Sequence, residues 1–187
     1  MSRLSFPVST TLTTRPLELV HTDECGPMDV KTPGKDRFQE IVIDDYIRYR
    51  VVVPVASKSL AKNVVMATLN QLETELGAKV KTIRRDGGDE YAGASMREWL
   101  EAKGIQTQKS VRYSPEQNGV AERYNGVLQE RVLASLADSN LDKTWWAEAG
   151  KAVNYVNNRI PSRGLHKTPY ELSHGKAPDV GNLRVFG

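Results

Sequence analysis

Leu17-Glu18-Leu19-Val20-His21-Thr22-Asp23, with the Glu24-Cys25-Gly26-Pro27 that follows, is the stretch on which the fold of this chain turns. Leu, Val and Thr suit an extended, half-buried backbone, and Gly-Pro breaks it. The pattern predicts a strand that carries Asp23. Two runs of the same kind follow, Phe38-Gln39-Glu40-Ile41-Val42-Ile43-Asp44-Asp45-Tyr46 and Tyr49-Arg50-Val51-Val52-Val53-Pro54-Val55. Each is bounded by Gly, Pro or charge, so the three are expected as consecutive antiparallel strands.

The period then changes. Ser57 and Ser59 offer helix caps, and Ala61, Val64, Val65, Thr68, Leu69, Leu72 and Leu76 make one apolar face ended by Gly77. Residues 79–85 read as a fourth strand that delivers Asp86 at its end, with Gly87-Gly88 as a turn. A short helix is expected over 95–103, stopped by Gly104, and a fifth, shorter strand over 105–110. Residues 111–119 gather Ser, Pro, Asn and Gly into a loop. From Val120 to about Ala137, the residues Ala121, Tyr124, Leu128, Val132 and Leu136 form an apolar stripe. Asn118, Glu122, Asn125 and Gln129 share another face, which points Glu122 away from the core.

A further helix is expected over 142–158, packing through Trp145, Trp146, Ala149, Ala152, Val153 and Val156, with one of the two tryptophans turned inward. A last turn or two over 168–174 starts with Pro169 in the first position. Residues 1–16 lack apolar periodicity and read as a mobile leader, leaving 17–187 as one domain. The whole is an α/β chain with five strands flanked by helices.

Composition limits the function classes. At 187 residues, 39% hydrophobic and 26% charged, the chain can bury one sizeable core. No apolar run approaches the roughly 18 residues needed to span a bilayer, and the start lacks the apolar centre of a secretory signal, so an intracellular protein is expected. A net charge of +3 is too mild to identify a nucleic-acid binder. The single cysteine, Cys25, excludes a disulfide within the chain. With only His21, His166 and His174 beside it there is no paired zinc spacing. Cys25 is expected to be a small buried residue.

The chemistry lies in three acids. Asp23 stands on the first strand, Asp86 at the end of the fourth, and Glu122 at the start of a helix. Taken singly, each has an ordinary reading: a strand end, a turn residue and a solvated helix face. Taken together, three carboxylates from separate elements suit Mg²⁺, which takes oxygen ligands and keeps some of its waters. Phosphodiester cleavage and strand transfer need an activated oxygen nucleophile and neutralisation of the departing oxygen, and two divalent ions supply both.

The words around these acids carry a resemblance. They are His21-Thr22-Asp23-Glu24-Cys25-Gly26-Pro27, Arg84-Arg85-Asp86-Gly87-Gly88-Asp89-Glu90-Tyr91 and Ser114-Pro115-Glu116-Gln117-Asn118-Gly119-Val120-Ala121-Glu122-Arg123, with 35 residues between Asp86 and Glu122. They resemble the DDE-type catalytic core of retroelement integrases, in its copia retrotransposon type. Asp44-Asp45-Tyr46-Ile47-Arg48, Asn157-Asn158-Arg159-Ile160-Pro161-Ser162, Lys167-Thr168-Pro169-Tyr170-Glu171 and Leu183-Arg184-Val185-Phe186-Gly187 are similar to further words of that family.

The resemblance implies an RNase H-like fold with a central five-stranded mixed sheet. It implies a polynucleotidyl transferase in which Asp23, Asp86 and Glu122 hold Mg²⁺ or Mn²⁺, two ions in all. Water would attack a phosphodiester near the DNA 3′ end, and the freed hydroxyl would then attack target DNA. DNA contacts are expected from Lys109, Arg112, Asn118, Arg123, Asn125 and Gln129, and the resemblance implies a homo-oligomer acting in the nucleus.

Two departures stand against this. Gly87 occupies a position where the family often has Asn, and the family's N-terminal zinc module and C-terminal extension are missing, which gives the expectation of a catalytic core alone. The alternatives are an inactive remnant that binds DNA or self-associates, and a nuclease acting on RNA in hybrids. The Pro115-Glu116-Gln117-Asn118-Gly119 word argues against the latter.

Overall fold

The computed structural model describes residues 13–85, 93–109, 119–162 and 164–187, and of Lys109 the backbone alone. The five strands are β1 (Leu19–Cys25), β2 (Phe38–Asp44), β3 (Arg50–Val55), β4 (Thr82–Arg85) and β5 (Gln106–Lys109). They form one sheet in the order β3-β2-β1-β4-β5. β1 pairs antiparallel with β2, and β2 with β3, whereas β1–β4 and β4–β5 are parallel. This is the mixed sheet the sequence leads one to expect. The three-strand meander places Asp23 opposite Ile41, and the crossover to β4 brings Arg85 beside Thr22.

The helices are α1 (Lys58–Leu76), α2 (Ala94–Lys103), α3 (Gly119–Asp138), α4 (Trp146–Asn157) and α5 (Pro169–His174). β2 is buried on both faces and divides the core by the two-residue period of a strand. Val42 faces α1 and α2 with Val20, Ile83, Leu69 and Leu100. Ile41 and Ile43 face α3 and α4. The expected α3 stripe is the one that packs: Ala121, Tyr124, Leu128, Val132 and Leu136 are all buried. Burying a leucine such as Leu128 contributes about 1.5–3 kcal/mol.

Several boundaries differ from the sequence expectation. β4 starts at Thr82 because residue 80 is drawn toward α1, where its N–H donates to Glu73 Oε1 at 3.0 Å. Glu73 is itself buried and paired with Lys79 and Lys103. The helix expected over 142–158 divides into a 3-10 turn, Lys143–Trp145, and α4, because the Asp142 side chain accepts from the Thr144 N–H and tightens the start. Trp145 is thereby left exposed, whereas Trp146 is buried and donates its indole N–H to the Val30 carbonyl at 3.0 Å. Val156 is also exposed, and Ala147 and Gly150 take the packing side instead. Cys25 is half-buried rather than buried.

Two local devices fix the ends of the sheet. Gly26 has φ +133°, and a Cβ there would lie 2.7 Å from the Arg37 carbonyl oxygen, so glycine allows the chain to fold back after β1. At the β3 edge, Asn158 Oδ1 accepts from the Arg50 N–H at 3.0 Å and Asn158 Nδ2 donates to the Arg50 carbonyl at 2.7 Å. The side-chain amide pairs with the first residue of β3 as a neighbouring strand would, which covers that part of the edge.

Candidate metal and nucleic-acid site

Period two along β1 turns Asp23 toward α3. Asn125 Nδ2 donates to Asp23 Oδ2 at 3.0 Å. Two residues further along the strand, the Cys25 thiol accepts from the Gln129 amide. Asn125 and Gln129 lie one turn apart on α3, so β1 and α3 are stitched together by polar pairs at the open end of an otherwise apolar contact. Glu122 lies one turn before Asn125 on the same side of α3 and is exposed, consistent with its expected turn away from the core. It sits in the first turn of α3, where the helix N-terminus favours a carboxylate.

Asp23 and Glu122 are thus brought to one end of the sheet by different elements. Asp86, Arg112 and Asn118 lie outside the described residues, as does the side chain of Lys109. Arg123 donates its Nε–H to the Gly119 carbonyl at 2.6 Å, one turn back on its own helix. Asn125 and Gln129, expected as DNA contacts, are engaged within the chain, and Gln129 also reaches Asn125 Oδ1 at 3.4 Å.

The donor set decides which ion would suit. Among the described residues, no three of His, Cys, Asp and Glu gather closely enough to hold a metal. Burial pushes the Cys25 thiol up, so it stays protonated and is a poor ligand at neutral pH. His21 is buried with Nε2 committed to Asp45 Oδ1 at 3.0 Å. What remains is oxygen: a half-buried aspartate held by an amide and an exposed glutamate one turn along α3. Such hard donors fit Mg²⁺ or Mn²⁺ and do not fit a closed zinc cage.

The second pair of acids, Asp44-Asp45, does different work. Asp44 is buried and accepts from the Leu17 and Ile47 N–H groups at 2.5 and 2.7 Å, and burial raises its pKa. Burial opposes ionisation of Asp45 too, but His21, Arg48 and Thr13 together hold its carboxyl below the ordinary range. These acids brace the β2–β3 turn and the start of β1. Their partners are not legible in the local sequence, because His21 stands 24 positions from Asp45. The thiol of Cys25 at the rim of the site was missed for the same reason.

Comparison with known proteins shows the family and the fold. The Integrase core domain family matches residues 13–115, more than half of the chain. The chain is 34% identical over 186 residues to the retrovirus-related Pol polyprotein from transposon TNT 1-94 of Nicotiana tabacum, covering 99% of the chain and 14% of that polyprotein. It is 29% identical over 187 residues to the polyprotein from transposon RE1 of Arabidopsis thaliana, covering 13% of its length. It therefore spans about one-seventh of these relatives.

Among solved structures, a simian T-cell lymphotropic virus intasome in complex with PP2A regulatory subunit B56 gamma superposes with TM-score 0.70, over 97% of this chain and 63% of that one. The HTLV-2 integrase catalytic core domain in complex with magnesium, a trimeric form, gives 0.63 over 85% and 97%. Both are 17% identical to this chain, so they show the shared RNase H-like fold. The chain belongs to the integrase core domain family, in the type carried by retrotransposon Pol polyproteins.

Proposed function

We propose that this domain cuts DNA near a 3′ end and joins the freed end to a second DNA, with Asp23, Asp86 and Glu122 as the metal-holding acids. The observation that carries the reading is the Asn125–Asp23 hydrogen bond, which docks α3 onto β1 one helical turn from Glu122. Two divalent ions, when bound, would supply the charge that activates the attacking oxygen and neutralises the leaving one. The chain's own part is to orient. Asn125 fixes one oxygen of Asp23, and Ile41 and Leu128 give both elements a rigid floor. Lys109, Arg112, Asn118 and Arg123 would meet phosphates and sugars, fixing register without reading bases.

The test is thermal unfolding with Mg²⁺ or Mn²⁺ titrated into wild type and Asp86→Asn, followed by nicking of a labelled duplex. Stabilisation in wild type alone, with nicking lost in Glu122→Gln, is the expected result. No shift at millimolar metal would favour the second reading, an inactive remnant that binds DNA or self-associates. Gly87 in place of the family's Asn favours that reading.

A further inference from the structure

A cavity of about 320 Å³ opens between the start of β3, the C-terminal half of α1, and the ends of α4 and α5. It lies at the sheet edge, two strands from β1 and away from Asp23. Its walls carry three permanent cations, Arg50, Lys151 and Arg159, against one carboxylate, Glu75. Among the described residues, none of these three cations pairs with a carboxylate.

The Arg159 guanidinium lies over two rings, 3.3 Å from the Tyr155 centroid and 4.3 Å from that of Tyr170. Among the described residues, its one side-chain hydrogen bond runs from Nη1 to the Tyr155 carbonyl, and its buried Nε–H has no acceptor. A guanidinium so fixed has already lost its rotational freedom, and its remaining donors suit an oxyanion. Tyr170 stacks on His174 at 4.0 Å, and Leu72 and Val52 form an apolar floor. Burial pulls Arg50 down in pKa; its guanidinium lies 4.9 Å from the Tyr124 ring centroid and donates to the Asn157 carbonyl and Ser162 Oγ, so Arg159 and Lys151 are the cations left for a ligand.

We propose that this cavity binds a small ligand that joins an oxyanion to a flat apolar body. Arg159 and Lys151 would take the anion, and the apolar floor of Leu72 and Val52 would take the body. The volume falls at the lower end of small-molecule sites, about 300–1,000 Å³, which suits a nucleotide or a single acylated amino acid. The anion is a phosphate or a carboxylate, two sources with the same recognition chemistry.

The experiment is calorimetry on the whole chain, with amide NMR shifts at Tyr155 and Tyr170, using adenosine monophosphate, N-acetylphenylalanine, adenosine and inorganic phosphate as probes. Saturable binding of adenosine monophosphate identifies a phosphate site, and of N-acetylphenylalanine a carboxylate site. Adenosine is expected not to bind. Lys151→Gln, at an exposed position, should weaken binding about tenfold, and Arg159→Gln should abolish it. The proposal is overturned if neither anionic probe saturates, if both variants bind as wild type does, or if inorganic phosphate binds as tightly, which would make it an adventitious ion only.

Discussion

Asn125 and Asp23, 102 positions apart, are joined by a 3.0 Å hydrogen bond from the Asn125 amide to Asp23 Oδ2. An amide in this place restrains one carboxylate oxygen without adding charge, which matters where cations are to be held. Asn125→Ala should therefore lower metal-dependent strand cutting about ten- to a hundred-fold and raise the Mg²⁺ concentration needed, as loss of an outer-shell partner does. Stability should change by only about 1 kcal/mol. A weakened affinity for DNA with an unchanged Mg²⁺ requirement would show that Asn125 acts on DNA instead.

Trp145 and Trp146 make an internal control. Trp146 is 6% exposed and Trp145 is 42% exposed. Trp146→Ala should cost about 3–5 kcal/mol in urea unfolding by opening a cavity in the core cluster that α4 shares with α3. Trp145→Ala should stay within about 1 kcal/mol. Equal losses would contradict the break between the 3-10 turn and α4.

Asn158 carries both backbone groups of Arg50. Asn158→Ala is expected to cost about 1–3 kcal/mol, since it leaves a part-buried N–H without its acceptor. Hydrogen exchange at Arg50 should accelerate in step. Asn154 also donates to the Arg50 carbonyl, at 3.0 Å, so the carbonyl should suffer less than the N–H.

Asp45 should shape the acid limb of stability. Its folded pKa lies below the ordinary aspartate value of about 3.9. The folded state then binds fewer protons than the unfolded one within that window. The contribution is present above about pH 4 and lost as pH falls through the lowered folded value. Urea midpoints measured from pH 5 downward should decline less steeply in Asp45→Asn than in wild type, and parallel declines would refute the assignment.

How much of this was written in the sequence depends on range. The α3 stripe from Ala121 to Leu136 and the β-branched run of β2 could be read directly, because a 3.6-residue period and strand propensity are both local properties of the chain. The caps at Gly77 and Gly104, both left-handed at φ 59° and 67°, were legible for the same local reason. The boundaries of β4 and α4 were not. One depends on the Glu73 carboxylate reaching residue 80, and the other on Asp142 closing a tight turn.

The sequence by itself determined the elements, the apolar faces and the candidate acids, all of which rest on residue type and short spacing. Only the tertiary structure decided that Asn125 would be spent on Asp23 and His21 on Asp45, and that three cations would gather on the walls of one cavity. Those pairings join residues far apart in the chain, and a side chain's partner is set by which surfaces the packed core brings within about 3 Å, a distance no local pattern encodes.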